Sequence, residues 1–361
     1  MTYKRLGDYI REVNVRNRDE KVTNLQGVSI SKMFIPSIAN TIGTDMSTYK
    51  IVKPGQSAYG PVTSRNGDKV SIALYEEKED AIISQAYTVF DIIDKNEVSN
   101  KYLMMWFQRP EFDRYARFHS HGSAREIFDW DELCNVMIPL PSIERQREIV
   151  EEYETLSRRI SLNEQMIQEL EATAQALYRK MFVDGIDKEN LPEGWRMGTL
   201  GEVATFKYGK LADKHPQSKE NPYPVFSGYA ITGYTNEYTL EEPTIVIIAR
   251  GDAGTGRICM SPSKCFLSNL AISIETKDKV LKEFLYYYLL ESDTMSLRSG
   301  SAQAQITINN VEPFEIMIPS KDICSDFANK VENLYKSIVL HKQENEKLAE
   351  LQSLLLVKMG Q

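Results

Sequence analysis

The chain has 361 residues, 42% hydrophobic and 26% charged, which allows two or three domains with real cores and an ordinary soluble balance. No apolar run approaches the roughly 18–20 residues needed to span a bilayer. The first residues lack the apolar stretch of a signal peptide. The cysteines Cys134, Cys259, Cys265 and Cys324 form no C-x-x-C pair, so they read as reduced thiols in a cytoplasmic protein with no zinc site. The net charge of −8 argues at first sight against nucleic acid. However, residues 142–190 hold 7 basic and 11 acidic side chains, −4 of that −8, which leaves room for a local basic patch elsewhere. Non-specific DNA affinity is expected to be weak for the chain alone, because phosphate neutralisation drives it.

Residues 1–25 open with Leu6-Gly-Asp-Tyr and read as a strand or short helix, then a charged loop. Residues 26–38 read as a strand and then a turn, and strands are predicted over 48–52 and 70–75, with Gly55, Gly60, Pro61 and Gly67 marking turns. Residues 82–93 form a further β-branched stretch. Residues 100–118 read as a helix with Tyr102, Leu103, Trp106 and Phe107 on one face. A small polar loop, Ser120-His-Gly-Ser-Ala-Arg125, precedes a strand at Val136-Met-Ile-Pro139, and Ser142 is placed to cap a long helix. A linker over 184–192 follows that helix, with Gly185 and Pro192 as breakers. Leu200-Gly-Glu-Val then echoes Leu6-Gly-Asp-Tyr. Strands are predicted over 224–229, 244–249 and 266–274, and a helix over 284–291. Arg298-Ser-Gly-Ser-Ala-Gln303 and Ile316-Met-Ile-Pro319 repeat the loop and strand of the first half.

The long helix carries Ile149, Tyr153, Leu156, Ile160, Asn163, Ile167, Leu170, Ala174, Leu177 and Met181 at alternating spacings of 4 and 3, an unbroken heptad seam. Moving 178 positions on gives Phe327, Val331, Leu334, Ile338, His341, Asn345, Leu348, Gln352, Leu355 and Met359, and the same offset takes Gly122 to Gly300. The chain therefore reads as an internal duplication. It is expected to be α+β, with two mixed α/β globular domains (1–141 and 184–319) and two long helices (142–183 and 320–361). The helices should pair antiparallel about a pseudo-twofold as a rod. Residues 144–182 alone would span about 58 Å at ~1.5 Å per residue. Asn163 and His341 sit near the helix centres. Either they form a buried polar layer that fixes register, or both reach solvent at the seam edge. Leu351, Leu354, Leu355 and Leu356 make a wider apolar face than two helices need, for a partner protein or for the chain's own domains.

The sequence holds several near-matches to catalytic motifs but no complete one. Asn221-Pro-Tyr-Pro224 has the letters of a DNA aminomethyltransferase loop in the wrong order, and Phe226-Ser-Gly-Tyr lacks the second glycine of a cofactor loop. Gly251-Asp-Ala-Gly-Thr-Gly256 follows a strand as a dinucleotide loop would, but its glycines are reversed and no evident helix follows. There is no G-x-x-x-x-G-K-[ST] loop. His119-x-His121 lacks a third metal ligand nearby, so a structural or DNA-facing role fits it better. No nucleophile arrangement stands out. The chain reads as non-catalytic, without cofactor or metal.

The pattern resembles the specificity subunit of type I restriction–modification systems. The features that carry the resemblance are Leu191-Pro-Glu-Gly-Trp195 with Leu200-Gly-Glu-Val, the strand Thr244-Ile-Val-Ile-Ile with its glycine loop, Ile-Pro closing each domain, Glu144-Arg-Gln146 opening the first helix and Leu177-Tyr-Arg-Lys-Met-Phe182 ending it. The first domain lacks the Pro-Glu-Gly-Trp opening, and the second helix starts with Lys321-Asp-Ile-Cys-Ser instead of Glu-x-Gln. The resemblance implies two target recognition domains that each read half of a split sequence in double-stranded DNA. It implies helices that act as a ruler and dock two modification (methyltransferase) subunits, and restriction subunits recruited by the whole. Base reading needs Arg, Lys, Asn, Gln or Ser on loops. The candidates are Tyr59, Arg65, Asn66, Lys69, His119, Ser123 and Arg125 in the first domain. In the second they are Lys210, Ser227, Tyr229, Arg250, Arg257, Ser301, Gln303 and Gln305. Competing readings are a two-domain scaffold that does not read DNA, and a stand-alone enzyme using the Gly251 loop.

Overall fold

The computed structural model describes residues 3–37, 43–64, 66–67, 69–122, 125–187, 189–211, 221–251, 254–299 and 305–360. They form an α+β chain with two compact units, Met1–Asn163 with Gln343–Gln361, and Glu164–Lys342. The backbone passes from one unit to the other within each long helix.

In the first unit, Tyr3–Arg5 pairs antiparallel with Met137–Pro139. An antiparallel sheet runs in the order Ile10–Val13, Thr88–Ile92, Ser57–Tyr59, Ile72–Leu74. A mixed sheet runs Phe34–Pro36, Leu25–Val28, Ala81–Ile83, Lys50–Val52, with the middle pair parallel. The second unit repeats this plan. Arg196–Thr199 pairs with Glu315–Ile318. Ala204–Tyr208, Ala271–Thr276, Ile245–Ile248 and Ile258–Met260 form the antiparallel sheet, and Ile231–Thr235, Tyr223–Phe226 and Phe266–Leu267 the mixed one, again with one parallel pair. The duplication read from a fixed sequence offset is thus a duplication of topology.

Each antiparallel sheet is covered on both faces. In the first, Tyr59, Ile72 and Phe90 face a helix-rich core, while Ala58, Ala73 and Val89 face the mixed sheet. In the second, Ile245, Ile247, Ile272 and Ile274 face the helices, and Val246 and Ala271 face the other way with Phe226 and Leu267. Successive strand residues point to opposite faces, so a strand covered twice shows no apolar–polar alternation, and Ile245–Ile248 is apolar throughout.

Three expected elements are divided. The helix over 100–118 is two helices, Asn100–Gln108 and Pro110–Phe118, because Pro110 forces Arg109 into an extended conformation (ψ 136°). The stretch over 82–93 gives Ala81–Ile83 and Thr88–Ile92. The strand over 266–274 gives Phe266–Leu267 and Ala271–Thr276, with a turn between them that becomes the hub of the site below.

The long helices are Ile143–Phe182 and Lys321–Lys358. Ser142 caps the first, its Oγ accepting from Arg145 N at 3.3 Å. All twenty seam positions are buried or half-buried. Within each unit the helices run antiparallel. In the first, Ser157 meets Gln352 and Arg159 meets Glu344. In the second, Tyr178 meets Phe327 while Glu171 lies 3.6 Å from Lys342. Each core takes the start of one long helix and the end of the other: Ile149, Val150 and Met359 in the first unit, and Cys324, Phe327, Tyr178 and Phe182 in the second. Leu356 packs on the first core, whereas Leu351 and Leu354 are exposed.

The start motif of the first helix has a structural reason. Buried Gln146 donates to Glu97 O and Pro141 O and accepts from Ser99 N, tying the helix to the loop before Asn100–Gln108. At the repeat-related position, Cys324 is fully buried and its thiol is pushed up to about 12 by burial.

Asn163 is fully buried, and its Nδ2 donates to Glu344 Oε2 at 3.0 Å and Asn345 Oδ1 at 2.9 Å. A buried polar layer lowers stability while favouring one register. Asn163→Leu is therefore expected to leave the melting temperature unchanged or raised while loosening the pairing. A disulfide trap at Ser157→Cys with Gln352→Cys, whose parent side chains are 2.6 Å apart, should then close in lower yield. An undiminished yield would mean that the apolar positions alone hold the register.

Candidate nucleic-acid interface

In the second unit three segments converge on the turn between Phe266–Leu267 and Ala271–Thr276, and a fourth joins one of them. Gly209 N donates to Ala271 O and Lys210 N to Leu267 O, at 3.0 and 2.9 Å. A Cβ on Gly209 would lie 2.0 Å from Ser268 O, so only glycine permits this approach. Ser268 N donates to Phe226 O, which leads into the turn that exposes Tyr229. Ala249 N and Arg250 N both donate to Leu270 O. Ile306 N donates to Ala249 O, which seats the loop that ends at Gln305. Lys210, Tyr229, Arg250 and Gln305 are all exposed, so residues distant in sequence stand around one hub. Asn269, half-buried at its centre, carries no motif that marks it in the sequence. Arg257 is exposed at the far side of the glycine loop. That loop is held by Thr294 Oγ1 donating to Gly256 O (2.5 Å) and Arg298 Nε to Thr255 O (2.9 Å). Arg298 is thus a support that only the fold reveals.

The first unit brings the repeat-related loops together in the same way. The loop after Ser57–Tyr59 lies against the loop after Pro110–Phe118: Phe128 N donates to Pro61 O (2.8 Å), Thr63 N to Glu126 O (3.0 Å) and Thr63 Oγ1 to Ser120 Oγ (3.0 Å). Asn66 N and Lys69 N then make successive turns onto Thr63 O and Asn66 O. Pro61, Asn66, Ser71, Tyr87 and Arg125 border a crevice of about 290 Å³. Lys69, His121 and Arg125 are exposed beside half-buried Asn66. Arg117 and Glu126 form an ion pair at the base of the second loop.

Two candidates, Tyr59 and Ser227, are corrected, and a third, His119, is found to make structural contacts. Tyr59 is fully buried, its ring edge-on to Phe90 and Phe128. It belongs to the twice-covered sheet, and no base can reach it. Ser227 is also fully buried, and its hydroxyl closes a tight turn with Ala230 O and N at 2.9 and 3.2 Å. His119 is half-buried, stacked on Tyr115 at 4.2 Å with Nδ1 3.2 Å from Glu132, so it fastens the helix end. Arg65, Ser123, Ser301 and Gln303 lie outside the described residues. Among the described residues no three His, Cys, Asp or Glu side chains converge on a metal position, and no helix is long and apolar enough to cross a membrane.

The profile described as the type I restriction modification DNA specificity domain matches the chain twice, over residues 55–172 and 192–350. The HindI specificity subunit of Haemophilus influenzae is 21% identical over 449 residues, covering 98% of this chain and 97% of that one. The MjaVIII specificity subunit of Methanocaldococcus jannaschii is 19% identical, covering 72% and 69%. The crystal structure of a type I restriction–modification S subunit from M. genitalium superposes with a TM-score of 0.62 at 17% identity, covering 99% and 95%, and so shares the fold. With two matched domains, two repeated topologies and paired long helices, the chain belongs to the type I restriction–modification DNA specificity family as a specificity subunit.

Proposed function

We propose that the chain is a cytoplasmic, non-catalytic DNA-reading subunit. Each unit reads one half of a split sequence in double-stranded DNA. The long helices set the unread gap and dock two methyltransferase subunits, and restriction subunits join through them. One observation carries this reading. In both units a hairpin loop and the loop following the helices are bonded together at repeat-related places, and each pair presents side chains that can recognise base edges: Asn66, Lys69 and Arg125 in one, Arg250, Arg257 and Gln305 in the other. The exposed Leu351 and Leu354 of the second long helix support protein docking along it. The negative net charge fits a reader that depends on basic partners for much of its phosphate affinity.

The test is methylation mapping with the chain co-purified with its methyltransferase, which should return one bipartite motif. In that complex Arg250→Ala should weaken specific binding by about 1–3 kcal/mol and relax base preference in one half-site only. Unchanged sequence-specific binding at moderate salt would remove Arg250 from the interface. A motif that ignores replacement of residues 1–141 by another recognition domain would favour a scaffold instead.

A further inference from the structure

Lys32 sits in the turn between Leu25–Val28 and Phe34–Pro36 with φ +61°, a left-handed conformation that side chains rarely adopt without compensation. The turn closes through Lys32 N to Ser29 O and Ser29 N to Met33 O. From it the Lys32 side chain runs inward and is buried. Its ammonium donates to Phe107 O, at the end of Asn100–Gln108 where Pro110 breaks the helix, and to Asp113 Oδ1 at 2.7 Å, and it lies 5.3 Å from the Phe112 ring centre. The same Asp113 Oδ1 accepts from Val70 N at 3.1 Å. Val70 is the residue after Lys69, where the Gly60–Lys69 loop re-enters the sheet.

Three segments therefore meet at one carboxylate: the turn at Lys32, the junction of the two helices and the end of the hairpin loop. A buried ion pair is weak evidence for stability, since apolar groups of similar size often serve as well. What this pair fixes is position. In the second unit the equivalent loop is tied to the segment after its helix by Thr294, Arg298 and the bond from Ile306 N to Ala249 O. In the first, the tie runs through Asp113 to a third segment.

We infer that Lys32 and Asp113 are positioning residues for base reading in the first unit: neither touches DNA, and together they set the height and angle at which Asn66 and Lys69 stand. This rests on the proposed reading of split DNA. Burial lowers the proton affinity of Lys32 and Asp113 restores part of it, consistent with a pair that works only when complete.

The experiment uses the chain co-purified with its methyltransferase and compares methylation motifs of the parent, Lys32→Met/Asp113→Leu, and Lys32→Met/Asp113→Asn, which keeps an acceptor for Val70 N. Arg250→Ala identifies the half-site read by the second unit. At the other half-site, discrimination between the preferred base and its competitors should fall at least tenfold in the Met/Leu variant and at least threefold in the Met/Asn variant. The half-site marked by Arg250→Ala should stay within twofold of the parent. Discrimination held within twofold at both half-sites, or lost equally at both, overturns the inference. If the Met/Leu variant does not fold, the Met/Asn variant decides by the same limits. A parent motif that is not bipartite defeats the functional reading itself, and the inference with it. A bipartite parent motif with unchanged variants defeats the inference alone.

Discussion

Phe182→Ala will destabilise the second unit by about 3–5 kcal/mol, the range for emptying a fully buried aromatic site. Phe182 is the last residue of the first long helix and is 1% exposed. Its ring lies 4.9 Å from Phe284, 5.3 Å from Phe327, 5.5 Å from Tyr178 and 5.9 Å from Trp195. These neighbours come from the globular helix Lys282–Glu291, the second long helix, the same helix and the Pro-Glu-Gly-Trp opening. Truncation therefore removes a shared contact from four segments, and rings of that size cannot collapse into the space. Urea unfolding followed by hydrogen exchange in the second unit's central sheet measures the change. Leu354→Ala, at a position 63% exposed on the other long helix, is the control and should stay within about 0.5 kcal/mol. A loss below about 1 kcal/mol for Phe182→Ala would mean that the helix end rests on the core without being part of it.

The long helices were legible because a seam repeats one constraint many times. Each apolar residue must fall on a single stripe, and the 178-residue offset doubles the signal. The paired loops were not legible as pairs. The bond from Phe128 N to Pro61 O and the bond from Ile306 N to Ala249 O join residues more than fifty positions apart, and nothing local in either segment encodes its partner. Tyr59 shows a second limit. Its neighbour Gly60 suggests a loop, but Ser57–Tyr59 is a strand covered on both faces, so alternation gives no warning of burial. Ser227 shows a third. A serine hydroxyl that bonds its own turn looks in sequence like one free to bond a base. Exposure was easier to read. Tyr229, Arg250 and Arg257 are exposed beside the positive-φ glycines Gly228, Gly251 and Gly256, and Lys210 is exposed after Gly209. Lys32 and Asp113 gave no signal at all, since each is an ordinary surface-type residue until the helix break at Pro110 puts them together.

On the proposed reading of a split DNA target, lengthening both long helices together will lengthen the unread gap in the motif, but only in steps that suit two periods at once. A seven-residue insertion keeps every seam position on its face, because the seam repeats every seven residues. Placed in one helix alone it would slide Asn163 away from Glu344 and Asn345 and should cost both stability and binding. Placed in both, between Glu164 and Gln165 and between Lys342 and Gln343, it adds about 10.5 Å of helix, close to 3 base pairs at ~3.4 Å each. That is a fraction of a DNA turn, so the two half-sites would no longer present the same face, and affinity should fall sharply even with the best gap. Three heptads in each helix add about 31.5 Å, near the roughly 34–36 Å of a full turn. That variant should recover binding better than the single-heptad one, with both half-sites unchanged and a gap longer by about 9–10 base pairs, as read by methylation mapping of the assembled complex. If the parent gap persists in the three-heptad variant, the helices do not measure the DNA, and the spacing is set by the partner subunits.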